Sequence, residues 1–280
     1  VSNVAAAFWY PYQVFPEDLI RQWAAVTHAE LTRLSTVEGS GVLQQDTIEL
    51  FTTKVSDPWW AELVPTRRAS FAELPDGYDD GIVFPSPVAQ MPIYLSYLEE
   101  RFRRAGGTLS VREVATIVDV SSQCDVIVNC AGLGAAKLVG DTTMTPIRGQ
   151  VVYVSQVGLS RTVFDQTGYE RPVYIVPRSH DCVLGGTAEY GDDRLDPDPH
   201  ATTAILERCI KLEPRLAGAA VLAERVGLRP GRPSVRVEVD DSSPGLLVHN
   251  YGHGGAGVAL SWGCADAVVS LINAVTGTGR

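Results

Sequence analysis

The sequence predicts a mixed α/β fold, and three stretches carry that expectation. Asp125-Val126-Ile127-Val128-Asn129-Cys130 is a short β-branched run that feeds Ala131-Gly132-Leu133-Gly134 and a helix-like 135–139. That is the pattern of a buried strand, a tight turn and a helix. Between Gln150 and Leu184 the pattern shifts to short β-rich runs punctuated by glycine and proline, which reads as an antiparallel sheet. A third unit closes the chain, with a glycine-rich turn over 252–257 between a β-rich run at 246–249 and a helix reaching residue 275. No linker, repeat or low-complexity tract separates these patterns, so two domains would have to be woven from non-adjacent segments.

In chain order, the first helix spans 16–34: proline opens it, Glu17 and Asp18 fill its first turn, and Leu19, Trp23, Val26 and Leu34 recur near helical spacing. A mixture of β-branched and aromatic residues predicts a strand over 47–54, and the proline-rich 57–87 reads mostly as a loop. A second helix fits 92–105, with Leu95, Leu98 and Phe102 on one side, arginines near its end and Gly106-Gly107 as its stop. A strand over 108–114 follows, then the 125–139 unit and strands at 151–154, 173–176 and 182–184. The pattern then predicts a helix over 199–212 and strands near 220–226, 234–239 and 246–249.

With 280 residues, 45% of them hydrophobic, the chain can bury a substantial core. Its 23 basic and 33 acidic residues leave a net charge of -10, which repels phosphate backbones and anionic lipid, so nucleic acid and membrane are not expected partners. Individual arginines, Arg148 and Arg229 among them, can still capture an anion. The five cysteines form no CxxC pair and no metal-ligand spacing, so no metal is expected, and a Cys209–Cys264 bridge is left open. No apolar run reaches the roughly 20 residues of a spanning helix and no secretory signal stands out, which gives a cytoplasmic expectation. The chain begins at Val1 inside an apolar stretch, so further residues upstream are expected.

Two motifs carry chemistry. His249-Asn250-Tyr251-Gly252-His253-Gly254-Gly255-Ala256-Gly257 stands between a strand and a helix, where backbone can approach a ligand and helix N–H groups favour electron-rich atoms. Alone it fits a packing turn equally well. Upstream, Gly227-Leu228-Arg229-Pro230-Gly231-Arg232-Pro233 fixes arginines that could grip a carboxylate through two parallel hydrogen bonds, although a solvated basic loop has the same composition.

Together with Asn3-Val4-Ala5-Ala6-Ala7-Phe8-Trp9-Tyr10-Pro11-Tyr12, DVIVNCAG at 125–132, RGQ at 148–150, YIVP at 174–177 and LGG at 184–186, these motifs resemble the D-amino-acid oxidase family over nearly the whole chain. The resemblance implies an FAD-binding Rossmann-like domain, from 1–55, 108–147 and 227–280, interleaved with an antiparallel-sheet substrate domain from 56–107 and 148–226. It implies oxidative deamination of a D-amino acid by oxygen to a 2-oxo acid, ammonia and hydrogen peroxide, with FAD as the hydride acceptor and no acid or base side chain. Arg229 then clamps the substrate carboxylate and Tyr174 adds its hydroxyl. Gly255 accepts from the amine, while Tyr12 and Tyr169 wall the pocket. Ser2, Ala6, Ala7, Phe8, Val114, Ala131, Gly227, Gly254, Gly257, Val258 and Ala259 contact FAD, many through backbone atoms. His249 and His253 belong beside the cofactor turn with no proton-transfer role.

The sequence departs from the family at Tyr10, where an amide is usual, and at Ala259, where a hydroxyl is usual. More widely, no GxGxxG turn precedes Val1, the segment on which the family seats the FAD pyrophosphate. A flavin-free, non-catalytic fragment is therefore one alternative. D-aspartate oxidation, with Arg171 as an added cation, is the other, and dimerisation stays open.

Overall fold

The computed structural model describes residues 1–11, 14–166, 171–241 and 245–277. Its helices are α1 (Glu17–Leu34), α2 (Met91–Arg104), α3 (Val118–Ser121), α4 (Ala135–Leu138), α5 (Pro199–Leu212) and α6 (Gly257–Thr276). Its strands are β1 (Val42–Phe51), β2 (Arg67–Arg68), β3 (Asp80–Ala89), β4 (Val126–Asn129), β5 (Thr145–Ser155), β6 (Thr162–Asp165), β7 (Val173–Pro177), β8 (Asp181–Gly185), β9 (Glu189–Tyr190), β10 (Val221–Gly231), β11 (Arg236–Asp240) and β12 (Leu246–Tyr251). Two compact units share them: Val1–Trp9, Leu31–Tyr97 and Arg148–Leu228 form the first, and Tyr10–Glu30, Leu98–Ile147 and Arg229–Arg280 the second.

The first unit is built on a sheet ordered β10-β5-β8-β7-β6-β1-β3-β2, with β9 paired to β5. The sequence leaves 57–87 as a loop, yet β3 occupies its end and pairs antiparallel with β1 from Val42↔Ala89 to Phe51↔Asp80. Its prolines explain both the misreading and the outcome. Pro85 and Pro87 are two apart, so both missing donors fall on the same edge of the strand. That edge faces the N-terminal segment, where Trp9 N–H donates to the Pro87 carbonyl at 2.9 Å and Ala89 N–H to that of Ala7 at 2.9 Å. The ladder to β1 stays intact. Because β1 is the partner of β3, residues 31–55 fall with the large sheet, and only 10–30 of the N-terminal third join the second unit.

Alternation along β5, β7 and β8 gives the sheet two faces. One packs Val152, Ile175, Cys182 and Leu184 against Ile205 and Cys209 of α5. The opposite face gathers Ala6, Val88, Val151, Val176 and Val183 with Phe8, Tyr153 and Tyr174. Helix α5 begins as its residues dictate: Asp198 accepts the His200 N–H at 2.8 Å, and Pro199 takes the first helical position.

In the second unit β12 lies between β11 and β4, antiparallel to β11 and parallel to β4. Along α1 the buried stripe is Ile20, Trp23, Ala24 and Thr27, continuing through Leu31 and Leu34, whereas Leu19 and Val26 are exposed. Trp23 and Leu34 of the expected face are thus buried, and Leu19 and Val26 are not. Thr27 accepts the Gly263 N–H of α6 at 3.0 Å. On α2 Met91 and Tyr94 are buried, Leu95 and Leu98 of the expected side are half-buried, and Phe102 is exposed.

The strand expected at 108–114 does not form. Leu109 and Val111 are exposed, and no described strand pairs with that segment, so β-branched composition alone cannot hold it in a ladder. Helix α6, 20 residues with one charged side chain, is long and apolar enough to cross a membrane by length and composition, contrary to the sequence reading. In this fold it packs on β11 and β12. Cys209 and Cys264 are both free thiols, so the bridge left open is not made.

Candidate active site

The second unit brings three predicted segments together. Parallel strands β4 and β12 run in register from Leu246↔Val126 to His249↔Asn129, and each ends in a turn that opens a helix, α4 and α6. Their carboxyl ends therefore lie side by side, the position at which open α/β sheets bind ligands. Gly254 N–H donates to the Pro230 carbonyl at 2.9 Å, which ties the glycine turn to the strand end carrying Arg229. On the other turn, a β-carbon added at Gly132 would touch Pro230 at 3.9 Å. The two turns and the arginine segment converge.

A latch holds that segment. Gly252, at φ +84°, lies under the Arg232 stem; a side chain there would come within 2.8 Å of the Arg232 Cδ. Arg232 donates Nε to Asp141 Oδ2 at 3.0 Å and Nη1 to the Ser234 carbonyl at 2.8 Å. Tyr251 donates its hydroxyl to the same carboxylate at 2.8 Å and accepts from Arg236 at 2.7 Å. Burial alone would raise the Asp141 pKa. Hydrogen bonds from Thr143, Tyr251 and Arg232 outweigh burial and hold the carboxyl well below the usual carboxylate range.

A second chain supports the turn after β4. Buried His249 places Nε2 3.0 Å from Asp240 Oδ2 and Nδ1 3.3 Å from Asn129 Nδ2, while Asn129 Oδ1 accepts the Ala131 N–H at 3.1 Å. With its oxygen committed to Ala131, the Asn129 amide donates to Nδ1, so the imidazole carries its proton on Nε2 and gives it to Asp240. His253 lies in the glycine turn, and burial pushes its pKa down to about 4, leaving it neutral near pH 7. At the start of α6 the N-cap residue Ala256 supplies no side-chain cap and the first turn carries no acid. Those N–H groups, with Gly254 at φ +53° and open space beside it, suit an electron-rich ligand.

In the first unit, the segment 6–8 and Tyr174 share one sheet face. Ala7 is left-handed at φ 53°, the sole non-glycine residue so placed among those described, and Phe8 bridges Val88. Such backbone strain concentrates at ligand sites. Tyr174 stands opposite Gly185 across β7 and β8, and its ring fills the volume that a β-carbon at 185 would need. A side chain at Gly186 would come within 2.7 Å of the Tyr174 hydroxyl. Gly227 is packed against Val4, with 2.9 Å to the position of an added β-carbon.

Val114 is half-buried in the irregular segment before α3, Ser2 and Gly255 are exposed, Gly257 and Val258 are half-buried, and Ala259 is buried in α6. Tyr12 and Tyr169 lie outside the described residues. Arg148 is no anion trap. Buried, it donates to Glu189 at 2.6 Å, Gln150 at 3.1 Å, and the carbonyls of Arg194 and Asp196 at 3.0 and 2.7 Å, tying β5 to the segment before α5. Sequence reasoning missed Asp141, whose partner Arg232 is 91 positions away and was named only within the GLRPGRP motif, and Asp240, which meets His249 across the β11–β12 pair. Gly185 was visible only as part of LGG.

The comparisons with known proteins agree with this architecture. A family model described as FAD dependent oxidoreductase matches residues 2–271, and the chain belongs to that family. A D-amino-acid oxidase of Rubrobacter xylanophilus is 49% identical over 276 residues, covering 98% of this chain and 85% of the relative. A D-amino-acid oxidase of Dictyostelium discoideum is 36% identical, covering 97% and 80%, and human D-aspartate oxidase is 33% identical, covering 97% and 83%. Among solved structures, glycine oxidase from Geobacillus kaustophilus superposes with a TM-score of 0.80 at 22% identity, covering 98% of this chain and 84% of that one, a likeness of fold.

Proposed function

We propose that this chain is an FAD-dependent oxidase that converts a D-amino acid, oxygen and water to a 2-oxo acid, ammonia and hydrogen peroxide. The observation that carries the reading is the hydrogen bond from Gly254 to Pro230, which sets an uncapped helix start beside an arginine able to fork onto a carboxylate. The identity to proteins named D-amino-acid oxidase supports the substrate class.

Ala131, Gly254, Gly257, Val258 and Ala259 of the second unit would hold FAD through backbone atoms. Bound FAD supplies a two-electron acceptor that oxygen restores. The chain's own work is orientation. Arg229 grips the α-carboxylate by two charge-assisted hydrogen bonds, and the Gly255 carbonyl accepts from the amine. Holding the carboxylate and the amine leaves only the hydrogen and the side chain free to exchange places, so the room left for the side chain would decide between D and L substrates. Neutral His253 needs to move no proton in this scheme.

The test is to add FAD to the purified protein, record the visible spectrum, and follow peroxide with D-alanine, L-alanine and D-aspartate. Flavin bands with peroxide from D-alanine alone support the reading. A preference of about tenfold or more for D-aspartate would move the substrate to the acidic class, and protein that takes up no FAD would overturn the assignment.

A further inference from the structure

The arginine segment and the glycine turn lean on one side chain that belongs to neither. Asp141 is buried between α4 and β5, and four hydrogen bonds end on its two oxygens. Oδ1 accepts the Thr143 N–H at 3.0 Å and the Thr143 hydroxyl at 2.6 Å. Oδ2 accepts Arg232 Nε at 3.0 Å and the Tyr251 hydroxyl at 2.8 Å. Thr143 fixes the carboxylate to its own loop, and the other two bonds reach across the fold.

Those outward bonds meet the two elements whose spacing matters. Arg232 follows the last residue of β10, three positions after Arg229. Tyr251 ends β12 and precedes Gly252, over which the Arg232 stem lies. The elements also touch directly, through the Gly254 N–H on the Pro230 carbonyl at 2.9 Å. One hydrogen bond fixes a distance and leaves an angle open; Oδ2, shared by Arg232 and Tyr251, supplies the second point of attachment. Every residue of this arrangement belongs to the second unit.

The charge of the acceptor matters as much as its place. All four groups that meet Asp141 are donors, so an amide of the same shape cannot replace the carboxylate. Whichever way it turns, its NH2 faces either Thr143 or the pair formed by Arg232 and Tyr251. The Thr143 backbone N–H cannot rotate away and Arg232 has no acceptor to offer, so the amide oxygen goes to Thr143 and the Arg232 side opens.

We propose that Asp141 is a positioning residue for substrate recognition: through Arg232 and Tyr251 it sets the spacing between Arg229 and the glycine turn, and with it the affinity for the substrate carboxylate. The part played by Arg229 comes from the oxidase reading, on which this inference rests, so binding and turnover are measured separately. The probe is butanoate, a carboxylate with no amine to oxidise, titrated by ligand-observed NMR into FAD-supplied parent, Asp141→Asn, Arg229→Lys and the double variant. Asp141→Asn is expected to weaken butanoate about tenfold beside Arg229 and less than about twofold beside the lysine, whose flexible point charge follows the ligand where a misplaced fork cannot. With D-alanine, the same variant should raise KM about tenfold and change kcat by less than about threefold. If Asp141→Asn does not fold, Arg232→Lys, which keeps a charge facing Asp141 and gives up the bond to Ser234, takes its place in the cycle under the same criterion. Equal losses in the two backgrounds, unchanged affinity in the folded variant, or no saturable binding to the parent would overturn the proposal. A parent that binds butanoate yet forms no peroxide from D-alanine would sink the oxidase reading alone, and the binding cycle would still decide the role of Asp141.

Discussion

At position 229 a planar fork is asked to hold a carboxylate, and its value lies in the second hydrogen bond. Replacing Arg229 by leucine should cost about 3 kcal/mol of substrate interaction, roughly a hundredfold in kcat/KM, read from initial rates with D-alanine. Lysine should recover part of the charge and little of the geometry. Ala7 poses a different question, since its left-handed backbone is independent of any side-chain contact. Ala7→Val should lower stability by about 1–2 kcal/mol while Ala7→Gly leaves it level or slightly higher, measured by urea denaturation. Of these residues, Arg229 was singled out by the resemblance of its motif to a family, since composition alone fits a solvated basic loop as well. Arg232 was not, because its meaning comes from Asp141, 91 positions away, on which Tyr251 also converges.

Strands, helices and turns were legible wherever local chemistry was unopposed. Helix α5 matches its expected bounds because a capping aspartate, a first-turn proline and an apolar stripe agree. Strand β3 was hidden because two prolines argue locally for a loop, and only the edge they face decides otherwise. The segment 108–114 failed in the opposite sense, strand-like in composition and unpaired in the fold. The hairpin formed by β7 and β8 yields a sharp expectation. Gly185→Ala puts a methyl group into the Tyr174 ring, so it should raise KM for the D-amino acid several-fold while leaving the far-ultraviolet spectrum unchanged. Combining it with Tyr174→Phe should give no further loss if the ring is what the methyl group displaces.

At the scale of the molecule, each of the two units gathers three separate segments of the chain, and the pairing of β1 with β3 sets where the first of them begins again after α1. Hydrogen bonds between residues far apart in sequence shape how such a chain answers acid. Asp141 is held below its ordinary pKa in the fold, so its contribution to stability is complete above the unfolded carboxylate range near pH 4 and is lost as pH falls through the depressed folded value. Asp141→Asn should therefore lower the melting temperature at pH 7 and narrow the difference between mutant and parent below about pH 3, followed by calorimetry across pH.

One consequence of β7 extends past the proposed site. Tyr174 and Ile175 are consecutive residues on a thin partition, Tyr174 turned to the face that holds Phe8 and Val176 and Ile175 to the face covered by α5. A strand cannot slide or tilt for one neighbour alone. Trimming Ile175 to valine would let the partition settle toward α5 and carry the tyrosine hydroxyl with it, so the enzyme's substrate preference would be tunable from behind the wall, by residues that never meet the substrate.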